Sequence, residues 1–139
     1  MIRFFTEDIA FTLKDSNKLV TWVSGVINAE NKIAKTINYI FCSDSYLLDK
    51  NLTYLNHNTY TDIVTFDNSE SLEEVEADIF ISINRVKENA VTLNVSFENE
   101  LHRVMIHGIL HLLGQNDKSD AEKKEMRKKE EACLSLRQL

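Results

Sequence analysis

The chain has 139 residues, 43% of them apolar and 27% charged, with three glycines and no proline. That length suits one domain able to bury roughly two thirds of its unfolded surface, and the composition excludes collagen-like, low-complexity and disordered chains. Sixteen Lys and Arg against 22 Asp and Glu give a net charge of −6, so any nucleic acid must be gripped locally and not by a broad basic surface.

In chain order, Ile2 to Phe5 reads as a short first strand. Asp15 or Ser16 can cap a helix in which Leu19, Val20, Val23, Val26 and Ile27 recur at helical spacing. Ile37 to Cys42 is β-branched and aromatic, the length of a buried strand. Ser43 or Asp44 then starts a second helix with Leu47, Leu48, Leu52 and Leu55 on one side. Thr61 to Phe66 is the next strand. Asp78 to Asn84 follows, with Ile79, Ile81 and Ile83 alternating against Asp78, Phe80, Ser82 and Asn84. The acidic stretch 67–76 between them is expected to be a solvated, mobile loop. Three helical segments complete the chain near 85–91, 98–113 and 119–134, the last opened by a Ser119/Glu122 capping box. Within it, residues 118–131 read as a solvated face with mixed i,i+4 charge pairs.

No repeat, linker or composition break divides the chain. The expected architecture is α+β: one domain over 1–139, with a small mixed four-stranded sheet packed with about five helices. Cys42 and Cys133 are 91 positions apart and outside any Cys-x-x-Cys pattern, so both are expected as reduced thiols. The charged N-terminus leaves no room for a signal peptide, and the longest uncharged apolar stretch, Val104 to Gly114, is too short to span a bilayer. A soluble cytoplasmic protein is expected.

Chemistry concentrates in Glu98 to Gly114, ENELHRVMIHGILHLLG. On a helical wheel His107 and His111 lie about 40° apart, and Glu100, Arg103, Val104, Leu110 and Gly114 share their side. The helix is apolar nearly all round and belongs in the interior, where two imidazoles need partners. Gly114 can stop it in a left-handed cap, and the reversing chain can bring Gln115, Asn116 or Asp117 beside the imidazoles. Asp117 supplies a hard oxygen to accompany two nitrogens, a set that suits zinc with a fourth position open for water. A longer turn would offer Asp120 instead. His, three residues, His, two residues, Gly, two residues and a ligand is the spacing of a zincin-like metal helix with its glycine turn. Gly108 stands where that mechanism keeps its general-base glutamate, so it leaves space beside the metal or allows close helix packing. His102 projects away from the pair and reads as a core or partner-facing histidine, and His57 as a surface one.

His107-Gly108-Ile109-Leu110-His111-Leu112-Leu113-Gly114 resembles the signature of the YbeY family, metal-dependent endoribonucleases of ribosomal RNA maturation. Thr61-Asp62-Ile63-Val64-Thr65-Phe66 is similar to that family's Thr-Asp-Val-Leu-Ser-Phe strand, and Asp78-Ile79-Phe80-Ile81-Ser82 to its Gly-Asp-Ile-x-Ile-Ser strand. The resemblance covers nearly the whole chain. It implies a single-strand-specific endoribonuclease acting in rRNA maturation, ribosome biogenesis and RNA processing. Its partners would be an rRNA precursor and the ribosomal subunit or ribosome-associated proteins, with no membrane partner. One divalent ion, Zn²⁺, would be held by His107, His111 and Asp117.

Two positions depart from the family pattern. Asp117 replaces a third histidine, a change that keeps the ligand count and also suits Mn²⁺ or Fe²⁺. Leu55 stands where the family has an arginine, so another cation must serve. Arg103 is first on geometry and Arg85 second, although Arg103 can equally pair with Glu100 or Asp78. Asp62, with Thr61, is expected to orient substrate or ligands. Arg103 and Asp62 are therefore the catalytic candidates. The rival readings are a non-catalytic ribosome-associated factor with a structural metal, and a zincin-like metallohydrolase of another substrate class.

Overall fold

The computed structural model describes residues 1–55 and 61–139. Four strands, β1 (Ile2–Thr6), β2 (Ile33–Cys42), β3 (Ile63–Asp67) and β4 (Glu74–Ser82), form one sheet in the order β1-β2-β4-β3. The first three in that order run parallel, and β3 returns antiparallel to β4 as an edge strand. Five helices accompany them among the described residues: α1 (Ser16–Ala29), α2 (Asp44–Leu55), α3 (Ile83–Leu93), α4 (Phe97–Leu112) and α5 (Asp120–Leu134). The mixed sheet and helix number match the expected α+β class.

The core forms where period-two strands meet helical stripes. Ile37, Tyr39 and Phe41 of β2 and Ile79 and Ile81 of β4 are buried, and α1 and α4 lay Leu19, Val23, Ile27, Leu101, Met105 and Ile109 into the same cluster. Tyr39 is fully buried and donates its hydroxyl to the Met105 carbonyl at 2.9 Å. That bond satisfies a polar atom that burial would otherwise penalise, and it ties the sheet centre to the middle of α4.

Several local expectations change. Asp15 stands at the N-cap of α1 but makes no side-chain cap bond, because its φ of 57° is left-handed and a capping side chain works from extended backbone. Only Leu47 of the α2 leucines is buried. Asn51 completes its inner face, while Leu52 and Leu55 are 47% and 41% exposed. The fourth strand begins earlier than expected and ends at Ser82. Glu74 and Glu76 alternate with buried Val75 and Ala77, so part of the acidic stretch is ladder. Ser82 Oγ accepts from the Arg85 N–H and starts α3, which takes Ile83 and Asn84 out of the strand. The capping box at Ser119 and Glu122 forms as expected. Cys42 and Cys133 are free.

His102 is a satisfied core histidine. It is 4% exposed, lies against the Trp22 ring, and accepts at Nδ1 from Arg137 Nη1 at 2.7 Å. Burial, helped by the Arg137 charge, pulls its pKa down from 6.5 to about 4. Between those values the unfolded chain takes up a proton that the folded chain refuses, so this histidine's contribution to stability is lost as pH falls through that window. Urea midpoints across the window should fall less steeply for His102→Gln than for the parent. Parallel pH profiles would contradict the assignment.

Candidate metal centre

The helix α4 carries the site because it can approach the sheet closely and because it ends abruptly. A Cβ at Gly108 would lie 3.0 Å from Ile63 Cδ1 and 3.3 Å from Thr65 Oγ1. The glycine therefore seats the helix on β3, which resolves its two sequence readings in favour of close packing. At the other end Gly114 has a φ of 100°. Its N–H donates to the His111 carbonyl at 3.0 Å, and the Gln115 N–H to the Leu110 carbonyl at 2.9 Å. This is a Schellman stop, which only glycine adopts without strain.

The turn returns Asp117 to the imidazoles. His107 Nε2 and His111 Nε2 each lie 3.4 Å from Asp117 Oδ2. One donor atom from each of the three residues falls within 4.8 Å of the others. Ligands about 2.0–2.1 Å from a tetrahedral ion stand roughly 3.4 Å apart, so the donor set and its spacing fit one divalent cation. Asp120, the alternative ligand, is the first residue of α5 and stays outside this group.

Behind His107 stands a carboxylate that the sequence reading missed. Glu130 of α5 is 1% exposed, and His107 Nδ1 donates to its Oε2 at 2.6 Å. Burial pushes the Glu130 carboxyl up, but the His107 hydrogen bond and the Arg103 charge outweigh it and hold the group below its usual range. An ionised Glu130 only accepts, which puts the His107 proton on Nδ1 and leaves the Nε2 lone pair facing Asp117. The signal was an acidic residue four positions after buried Met126, on the inner stripe of α5. Residues 118–131 are thus a solvated face everywhere except at Met126 and Glu130.

Arg103 lines the cleft beside His107, where it is fully engaged by carboxylates. Nε and Nη2 donate to the two Glu100 oxygens at 2.8 and 2.6 Å, and Nη1 donates to both Glu130 oxygens at 3.1–3.2 Å. Nη2 is also 3.7 Å from Asp62 Oδ2. Burial disfavours its charge, and the Glu100 and Glu130 bonds more than restore it. The Glu100 pairing weighed from the sequence forms; the Asp78 alternative does not, since Asp78 accepts from Asn38 and Asn68. Arg85 pairs with Asp44 at 2.7 Å and with Glu88, outside the cleft lining.

Thr61 and Asp62 precede β3 and line the cleft. The Asp62 carbonyl accepts from the Ser82 N–H at 3.0 Å, which extends the β4 pairing and fixes the loop. Burial raises the Asp62 carboxyl pKa, against the pull of Arg103 and His107. Leu55 also lines this cavity of about 690 Å³. His57 lies outside the described residues.

Two imidazoles on a buried helix, a glycine stop and a returning carboxylate, all seated on a small mixed sheet, define an α+β protein with a His-His-Asp group able to hold a metal ion. The family model for Endoribonuclease YbeY matches residues 2–137, and the chain belongs to that family. A Cytophaga hutchinsonii protein named Endoribonuclease YbeY is 50% identical over 136 residues, covering 98% of this chain and 95% of its own. A Flavobacterium psychrophilum protein of the same name is 52% identical over 132 residues, covering 95% and 94%. The solution structure of a Thermotoga maritima protein matches with a TM-score of 0.68 at 29% identity, over 97% of this chain and 87% of that one.

Arg103→Ala leaves Glu100 and Glu130 buried without their cation and should lower stability by about 3–5 kcal/mol in urea unfolding. A loss within the roughly 0.5 kcal/mol usual for surface changes would contradict the network. Gly108→Glu should also destabilise, by at least about 1–3 kcal/mol from overpacking against Ile63 and Thr65. Parent-like stability of that variant would refute the close seating of α4.

Proposed function

We propose that this chain is a metal-dependent, single-strand-specific endoribonuclease acting in rRNA maturation, ribosome biogenesis and RNA processing. It is read as one metallo-endoribonuclease domain over residues 1–139. The observation that carries the proposal is the His107–His111–Asp117 triangle in the lining of an open polar cleft, in a chain of the YbeY family. The relatives named above are called endoribonucleases. Among the described residues no helix is long and apolar enough to cross a membrane, and the cytoplasm is the proposed location. The proposed substrate is an rRNA precursor, met on a ribosomal subunit or with ribosome-associated proteins.

His107, His111 and Asp117 would hold the ion, Zn²⁺ by preference, with the carboxylate also admitting Mn²⁺ or Fe²⁺. A divalent ion there supplies Lewis-acid polarisation of a phosphate oxygen and eases deprotonation of water. The chain's own residues provide placement. Glu130 fixes the tautomer and ring plane of His107. Arg103 positions Glu130 and lends its charge to the cleft wall near Asp62. Asp62 and Thr61, in the cleft lining, orient the substrate through hydrogen bonds to the ribose or to an incoming water. The edge strand β3 and helix α4 wall the cleft on either side. Gly108 is buried against Ile63 and Thr65, so this helix has no glutamate base facing the metal and a peptidase mechanism of the zincin kind lacks its base.

Metal-loaded parent protein should cut single-stranded RNA and spare duplex RNA. His111→Ala, checked to be folded, should lose at least about 100-fold in rate, since it removes a ligand. Asp62→Asn should lose about 10- to 100-fold if it orients a reacting group. Undiminished cleavage by His111→Ala would refute the proposal, as would a metal-loaded parent that leaves RNA intact.

A further inference from the structure

The cleft lining carries three aspartates, Asp62, Asp67 and Asp117, and one arginine, Arg103, whose donors are already taken by Glu100 and Glu130. A phosphodiester strand bound there needs a cation that is not already neutralised, because phosphate contacts supply most of the grip on a nucleic-acid backbone. Outside the lining, Arg127 pairs with Glu130, the carboxylate that holds Arg103 and His107. Its side chain is 50% exposed, and its Nη1 lies 3.7 Å from Glu130 Oε1. That is an ion-pair distance too long for a hydrogen bond, and the Glu130 oxygens already accept from Arg103 and His107. Arg127 therefore keeps its planar fork for a ligand from solvent.

Its placement on α5 points the same way. One flank of that helix is turned to α1, where the Cys133 carbonyl accepts from Trp22 Nε1 at 2.8 Å. Arg127 is about 60° round the helix from Glu130, on the side away from Cys133, and Glu130 reaches Arg103 and His107 of the cleft lining. Lys123 is exposed and shares that flank one turn earlier. Four helical residues separate the two cations by about 6 Å along the axis. Lys124 and Lys128 are exposed on the outward face of the same helix.

We infer that Arg127 and Lys123 form a short cation row along α5 that holds the phosphates of a single RNA strand where it leaves the metal cleft. Arg127 is the principal contact, through bidentate hydrogen bonds to one phosphate, and Lys123 adds a point charge one turn away. The inference rests on the endoribonuclease reading and deepens it by giving the strand a direction, from the His107–His111–Asp117 centre toward α5. It also accounts for how an acidic chain retains RNA, since the grip is confined to one flank of one helix.

The test is binding of a short single-stranded 2′-O-methyl oligoribonucleotide to the metal-loaded full chain between about 50 and 200 mM salt, with RNA cleavage and metal content measured in parallel. Arg127→Ala should bind roughly three- to tenfold more weakly, and each cation removed from the row should reduce the slope of log K against log salt by about 0.7. Metal content should stay at the parent level. The outward pair Lys124→Ala and Lys128→Ala should leave affinity within about twofold. Parent-like affinity and slope in Arg127→Ala overturn the row, and so does an equal drop in the outward pair, which would indicate a general charge effect. Metal loss in Arg127→Ala also overturns it, because the residue would then act on the site through Glu130. A parent that cleaves RNA while Arg127→Ala binds normally sinks the row alone, whereas a parent that neither binds nor cleaves RNA sinks the endoribonuclease reading beneath it.

Discussion

Two carboxylates with almost no access to water, Glu100 and Glu130, are held by one guanidinium. An ionised carboxylate taken out of water costs several kcal/mol unless it is paired and hydrogen-bonded. Glu100 sits one turn before Arg103 on α4 and fixes one edge of its fork, which leaves the Nη1 end for a partner on another element. Glu130 meets that end only when α5 lies in one register against α4. The same register brings Glu130 to His107 Nδ1. The docking of the last helix, the orientation of the His107 ring and the wall of the cleft thus depend on a single half-buried arginine.

The remaining geometry follows from two glycines on α4. Gly108 lets the helix seat against Ile63 and Thr65, so β3 becomes the facing wall of the cleft. Gly114 stops the helix in a left-handed turn and sends the chain back past its own last turn. Asp117 arrives 3.4 Å from both imidazole Nε2 atoms. Gly108 sets how α4 seats and Gly114 where the chain turns, so both fix the positions of His107, His111 and Asp117. The scarcity of glycine in this chain leaves these backbone constraints easy to see.

Much of this was legible in the sequence because its signals are local. The His107/His111 spacing, the Gly114 stop and the Ser119 capping box depend on neighbours within a few residues, and each appears as read. The shorter turn favours Asp117 over Asp120, and Asp117 is the carboxylate grouped with the two imidazoles. What escaped depended on contacts distant in the chain. Glu130 sits in a run of charges that looks solvated, and only its partners on α4, 23 and 27 positions earlier, show why it is buried. The helical wheel puts Arg103 on the same side of α4 as the two imidazoles, but its engagement by two carboxylates depends on where α5 docks. The leucines of α2 have helical spacing, yet that helix covers only part of the sheet and leaves Leu52 and Leu55 outside the core.

The account turns on a carboxylate completing a two-histidine site after a glycine turn. Elemental analysis of untagged protein, with His107→Ala, Asp117→Ala and Asp120→Ala prepared alongside, tests it most directly. About one divalent ion per chain is expected in the parent and in Asp120→Ala, with loss in both His107→Ala and Asp117→Ala. Retention of the ion by Asp117→Ala, or its loss from Asp120→Ala, would contradict the assignment of the third ligand.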